Sequence, residues 1–592
     1  MYNDLELRRS QIVYPFGVGA IVDFPNDSLM TCSIDLWGEK GKRIYDPRFQ
    51  NWLGINHFRV PPSKEESKVG VPFKRFPEWR FCSKCRKLKP LKEWEELYKE
   101  NYNRKYDNPE CYTCNLELIP MRFITVCKNG HVSDFPWEKW VHEGGNCFES
   151  LDLRFKTNPN ISGLEGIIIE CDEENGCGAK RTMAGSFSEN IHEKFGGCKG
   201  EKPWLGSRGI EYTDDCEAKS RTVQKGGSNV YFPNVRSSIL IPPFSNEIFE
   251  ELEKNDLWHA ALRNKEKKEL YLEDLADQLN IELKYLEELY NRRIQKSDRE
   301  KTEINYKYDE YKAFLNDNEM VEVDSNNFEI KEIKGCEYNI KALNKVVLVK
   351  RLREIRCLTS FSRLAPVSGQ KTPAEEFHTE SNAVKISEND SVNWLPAIEV
   401  RGEGIFLEFD NDMIENWESN KQVEKRMLKI NQRISKNARE KDINPRLLPP
   451  KFILLHTLAH LLIRQLNFEC GYSSAALKER LYCNTNDVEP NMSGILIYTS
   501  SGDSEGTLGG LVKQGNPSFL NNIFKKALKK AEWCSLDPLC IESDGQGLNS
   551  LNLAACHGCV LLPETSCEEF NRYLDRGLLI GLYETKFPGF FD

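Results

Sequence analysis

AACHGCVLLPETSC, residues 554–567, places three cysteines and a histidine within fourteen residues. Such a run suits a metal site, a disulfide clip or a nucleophile. Composition narrows the choice, because the chain carries 20 cysteines in 592 residues. The opening MYNDLELRRSQ has charges where a signal peptide needs an apolar core, so a reducing, cytoplasmic setting is expected. Paired cysteines in such a compartment hold zinc more often than they form disulfides. A catalytic cysteine needs one thiolate beside a base, not several competing for one cation. The stretch therefore predicts a structural zinc site made of Cys556, Cys559 and Cys567. Cys540 is the preferred fourth ligand because it is nearer than Cys534, and His557 points outward from the knuckle.

A second pattern lies far upstream. Cys82-x2-Cys85 and Cys111-x2-Cys114 form two CxxC knuckles, the arrangement of a zinc ribbon with four thiolates around one ion. Between Lys74 and Lys105 there are eleven Lys or Arg against five Asp or Glu. Lys84, Arg86 and Lys87 on this ribbon are the expected contacts to DNA phosphates. Cys171, Cys177, Cys198 and Cys216 form a second expected four-thiolate group, with glycines supplying the tight turns. Between these groups, Cys127 and His131 are expected to bind a further ion with His142 and Cys147.

The rest of the chain sets these sites in context. A formal net charge of -10 argues against a globally basic nucleic-acid coat and leaves local patches open. The mean hydropathy of -0.57 and the lack of any long apolar run exclude a membrane-spanning helix. Eleven of the 20 cysteines precede Pro243, among short strand-like runs and Gly, Pro and Asn punctuation. YLEDLADQLNIELKYLEELYNRR, residues 271–293, has apolar residues at helical spacing on a charged background. KVVLVKRLREIRCL (345–358) and GILIYTS (494–500) read as strands. RLLPPKFILLHTLAHLLIRQL (446–466), SSAALKERLY (473–482) and SFLNNIFKKALKKAEWC (518–534) read as helices.

The expected fold is therefore α+β and multidomain. A zinc-ribbon-rich N-terminal part spans 1–245 and a charged helical insertion 246–345. A mixed connecting region covers 346–448, and a C-terminal α/β zinc-binding domain covers 449–592. Catalytic signals are weak. His456 and His460 share a helix face but lack the glutamate of HExxH, so they read as core histidines. Asp503 and Glu505 follow a strand in a glycine-rich turn, and with the two histidines they frame the alternative of a metal-dependent nuclease or hydrolase. The sequence contains no GxxxxGK[ST] loop, which argues against ATP hydrolysis.

Several stretches together resemble one family: RRSQIVYPFGVGAIVDF (8–24), CKNGHVSDFPW (127–137), CKGEKPWLG (198–206), and most of the chain from His456 to Leu579. They are similar to the DrmB family of the bacterial DISARM anti-phage system. From about Pro449 the chain resembles the cysteine-containing domain that also ends MrfA-type DNA-repair helicases, a domain shared with Druantia-type defence systems. The resemblance implies a non-catalytic subunit that pairs with a superfamily 2 helicase of the DrmA type and meets phage DNA through that complex. It carries zinc ligation onto Cys556, Cys559 and Cys567, with Cys540 as the fourth. Gly17 and Gly19 are expected to permit a tight turn.

Overall fold

The computed structural model describes residues 7–592 apart from 26, 39, 64, 67–69, 103–108, 146, 148–151, 173–175, 189–190, 208, 210–212, 296–302, 317–326, 368–381, 441–444, 474, 485–490, 500–508 and 583–586. Its frame is a nine-stranded sheet. The main strands are β1 (Phe232–Ile239), β2 (Glu329–Lys334), β3 (Leu343–Ser362), β4 (Trp394–Phe409), β5 (Leu477–Cys483) and β6 (Ser493–Thr499). They run β1-β3-β4-β6-β5, with β2 also on β3, and every one of these pairings is antiparallel. β3 is rich in Val, Ile and Leu and buried on both faces over most of its 20 residues. That is the composition a strand needs when protein covers it on both sides.

Helix α1 (Pro450–Cys470) lies across β5 and β6 and against α2 (Pro517–Ala531). Its sequence is apolar around the whole circumference, and it is accordingly a core helix. Pro450 begins it, the Lys451 N–H donates to Glu418 Oε1 at 2.7 Å, and Gly471 ends it in the left-handed region. The charged helical segment expected over 246–345 supplies helices Glu247–Leu252, Asp256–Arg263, Lys268–Leu279, Leu283–Gln295 and Glu303–Leu315 between β1 and β2, but the end of that range is not helical: it holds β2 and the first residues of β3, which pair in the central sheet.

Two expectations change. SSAALKERLY is not a helix: Leu477–Cys483 pairs with β6 from Leu477↔Thr499 to Cys483↔Ser493. Good helix formers fill it, but a seven-residue segment gains more from a sheet edge than from intrinsic propensity. The boundary expected at 449 also does not separate two sheets. β6 pairs with β4 from Gly404↔Tyr498 to Glu408↔Gly494, so the connecting and C-terminal regions share one sheet and one core.

The N-terminal part contributes a separate six-stranded sheet built on the ribbon, with Trp79–Cys82 and Lys87–Pro90 near one end. The opening motif packs on the frame. A Cβ on Gly17 would stand 2.5 Å from Leu358 of β3, and Gly19 has φ +81 against the Phe361 ring. The two glycines thus serve close approach as well as the turn.

Glu310 ties these parts together. From the last helix of the insertion its carboxylate accepts from Arg480 Nε at 2.7 Å, the Tyr482 hydroxyl at 2.8 Å and the Ile239 N–H at 3.0 Å. Arg48 Nη2 stands 3.6 Å away. One buried carboxylate therefore joins the insertion, both outer strands β1 and β5, and the N-terminal part. Glu310→Ala should cost about 3–5 kcal/mol, because it strands buried guanidinium charge. Thermal unfolding and hydrogen exchange at β1 and β5 measure this, with Glu310→Gln expected to lose less.

Candidate metal centres

Five groups of metal-capable side chains occur among the described residues, each with its ligand atoms within 4.8 Å of one another. Four are rich in sulfur. The ribbon group joins Cys82, Cys85, Cys111 and Cys114, as the two knuckles predict. The Arg86 N–H donates to the Cys82 carbonyl and the Asn115 N–H to the Cys111 carbonyl, both at 2.9 Å. Arg86 and Asn115 both have positive φ, so the two CxxC turns adopt the same backbone form.

The middle ligands sort differently from expectation. Cys127 and His131 meet Cys198 and Cys216, whereas His142 and Cys147 meet Cys171 and Cys177. Strand pairing is the reason. Ser220–Gln224 pairs with Phe123–Cys127 through Ser220↔Cys127, which returns Cys216 to Cys127. Leu153↔Cys171 brings Cys171 back beside Cys147 instead; their sulfurs are 3.7 Å apart.

Outer hydrogen bonds orient both histidines. His131 Nε2 is 3.1 Å from Asp214 Oδ2, and its Nδ1 faces Cys127 Sγ at 3.5 Å. His142 Nδ1 donates to the Glu138 carbonyl at 2.7 Å, leaving Nε2 beside Cys177 Sγ at 3.3 Å. A partner behind each ring fixes the tautomer that presents a lone pair to the sulfurs.

The C-terminal group also differs. Cys534 and Cys540 both join Cys556 and Cys559, and Cys567 is not among them. Sulfur separations are 3.5 Å for Cys534–Cys556 and 3.7 Å for Cys540–Cys559. Cys534 lies just past the end of α2 and a short turn follows to Cys540, so both are carried to the knuckle. Beyond Cys559 the chain runs along α1 to the edge strand β5, which takes Cys567 to His456, His460 and Glu479. His456 and His460 are core residues, as expected, and they also lie within reach of Glu479 and Cys567. Its only signal in the sequence is the i, i+4 spacing of the histidines, because Glu479 falls in a stretch of helix-forming residues and Cys567 follows the CxxC knuckle.

Thiolate character is uneven within the groups. A thiol hydrogen bond from Cys127 outweighs burial and brings Cys198 down to about 4. The Cys559 thiol does the same for Cys540, down to about 5. The Ala179 N–H brings Cys177 to about 7. Thiolate is the form that metal binding requires.

The basic face of the ribbon is partly committed within the molecule. Lys84 is exposed. Lys87 Nζ donates to the Tyr112 hydroxyl at 3.2 Å and lies 4.0 Å from Asp152. Lys74, Lys89 and Lys99 each pair with a glutamate four residues away in sequence. Asp503 and Glu505 lie outside the described residues. His456 and His460 are fully buried, so neither can touch a polymeric substrate.

A family model described as the MrfA Zn-binding domain matches residues 458–560, which hold Cys534, Cys540, Cys556 and Cys559. A second, a domain of unknown function named DUF8724, matches 8–232. The class is thus a multidomain zinc-binding protein, and zinc is its cofactor. The chain is 32% identical over 601 residues to the DISARM protein DrmB of Bacillus paralicheniformis, spanning 96% of this chain and 99% of that one. It belongs to the DrmB family of the DISARM defence system. Among solved structures, that of the DUF1998 helicase MrfA bound to DNA is similar at 10% identity over 39% of this chain and 23% of its own. Its TM-score of 0.18 is too low to bear on the fold. No helix among the described residues is long and apolar enough to cross a membrane.

Asp214 gives a test that leaves every ligand in place. Asp214→Ala should weaken zinc at the Cys127–His131–Cys198–Cys216 group by about 10–100-fold, the usual cost of losing an outer partner. Competition with a chromophoric chelator should show one weakened equivalent, with the others unchanged.

Proposed function

We propose that the chain is a non-catalytic, zinc-organised subunit that pairs with a superfamily 2 helicase of the DrmA type and helps it engage phage DNA. The observation that carries this reading is the end-to-end match to a DISARM DrmB protein, 96% of one chain against 99% of the other. Two features agree with it. A domain described from MrfA, itself named as a helicase, occurs here in a sequence without a GxxxxGK[ST] loop. Both histidines of the most histidine-rich group are fully buried, whereas hydrolytic metal centres keep a position open to substrate.

Zinc in this reading is structural. Each of the four sulfur-rich groups offers four protein ligands, which closes a tetrahedral ion and leaves no position for a reacting water. The chemistry zinc supplies there is cross-linking of short segments that have little core of their own. Cys82, Cys85, Cys111 and Cys114 would hold the ribbon hairpin, and Cys534, Cys540, Cys556 and Cys559 the tail against α2. Lys84 and Arg86 on the outer ribbon turn would lie along the DNA backbone, while Lys87 braces Tyr112.

Co-expression with the cognate helicase and gel filtration test the pairing, with a stable complex expected and separate elution counting against it. The complex should bind DNA more tightly than either chain, and the purified chain should hydrolyse neither ATP nor DNA. Lys84→Glu should leave assembly intact and lower the salt slope of DNA binding by about one. An unchanged slope would remove the ribbon from the DNA track without affecting the pairing.

A further inference from the structure

The group at the floor of the C-terminal half differs from the other four in kind. His456 and His460 lie one turn apart on α1, with ring centroids 4.6 Å apart. Both rings are fixed from behind. His456 Nδ1 is 3.3 Å from the Tyr573 carbonyl, and His460 Nδ1 is 3.1 Å from the Val560 carbonyl. A carbonyl only accepts, so each Nδ1 carries a proton, and a neutral ring then presents a bare lone pair at Nε2.

Both Nε2 atoms face one carboxylate. Glu479 Oε1 stands 3.1 Å from His456 Nε2 and 3.5 Å from His460 Nε2. Cys567 Sγ is 3.2 Å from His456 Nε2. That sulfur already accepts the N–H groups of Glu569 and Asn571, both at 3.3 Å, as a thiolate would. Among the described residues, His460 Nε2 and Glu479 Oε2 are buried with no hydrogen-bond partner. Two imidazole lone pairs, a carboxylate and a sulfur thus converge among buried side chains, and apart from the Cys567 thiol no side-chain donor stands between them. Buried acceptors set face to face are costly unless a cation stands between them.

We propose that His456, His460, Glu479 and Cys567 bind a fifth metal ion, a divalent transition metal of the zinc class. Two imidazoles and a thiolate select that class over calcium or magnesium, which take oxygen ligands. The four ligands come from α1, β5 and the loop after Cys559, so the ion ties the core helix to the outer strand of the sheet. Outer bonds complete the site: the Glu568 N–H donates to Glu479 Oε1 at 3.2 Å, and the two carbonyls hold the rings. Glu479 and Cys567 also line a cavity of about 370 Å³. The ion would therefore set the wall of that cavity as well as the strand.

The competing arrangement is a protonated His456 paired with Glu479, with Cys567 as a thiol and no metal. Anomalous difference maps at the zinc edge, from crystals of the full-length chain, separate the two. A peak within bonding distance of both Nε2 atoms and Cys567 Sγ is expected. A map with peaks at the sulfur-rich groups and none here overturns the proposal and leaves the four-centre reading standing. In solution, Glu479→Gln and Cys567→Ser should each lower the zinc content of the folded chain by one equivalent. Unchanged content in a folded variant also overturns it. Should both variants aggregate, the wild-type map decides alone.

Discussion

Sulfur lone pairs repel, and the N-terminal third and C-terminal tail of this chain are arranged around places where that repulsion has to be neutralised. Sulfurs sit 3.5–3.7 Å apart in the ribbon, middle and tail groups. Backbone N–H groups point at several of them, as from Gly200 to Cys198 and Leu536 to Cys534. Carboxylate or carbonyl partners hold the two middle histidines. Without a cation, neighbouring thiols also relieve it by sharing protons, which pulls Cys198 and Cys540 down while Cys127 and Cys559 rise. Zinc removes the conflict outright, because each thiolate then faces positive charge.

The sheet solves a different problem. Its long strands β3 and β4 are buried on both faces and need no metal, and the zinc-bearing parts pack onto them. Attachment relies on buried charge as well as apolar contact. Glu310 holds β1, β5 and the insertion together, and Arg363 at the end of β3 donates to the Gly130, Val230 and Gly19 carbonyls. Through Arg363 the loop between Cys127 and His131 is fixed to the frame. The Cys127–His131 group is therefore not a loose appendage, since the Gly130 carbonyl in its own turn satisfies a buried donor at the end of β3.

Much of this was legible in the sequence. The paired knuckles at Cys82 and Cys111, the all-apolar helix around His456, the charged insertion and the strand at GILIYTS each carry a local signal that the structure repeats. What sequence could not supply was the partner of each segment. ALKERLY has helix-forming residues, and only the free edge of β6 makes it a strand. The boundary at 449 looked natural because composition shifts there, yet hydrogen bonds between β4 and β6 cross it. By sequence Cys567 groups with Cys556 and Cys559, while the route of the loop past α1 brings it to Glu479.

The middle groups show why nearness in sequence misleads in a metal-rich chain. His142, Cys147, Cys171 and Cys177 all lie within the segment that Cys127 and His131 begin and Cys198 and Cys216 close, so one group is nested inside the other. Closure entropy grows only slowly with loop length, so a long outer loop is not a strong penalty. With the inner group closed the effective outer loop is shorter, and the pairing of Ser220–Gln224 on Phe123–Cys127 places Cys216 beside Cys127. The order of ligands along the chain thus follows strand pairing. In a protein of this kind the sheet decides which thiolates meet, and the metal makes that choice permanent.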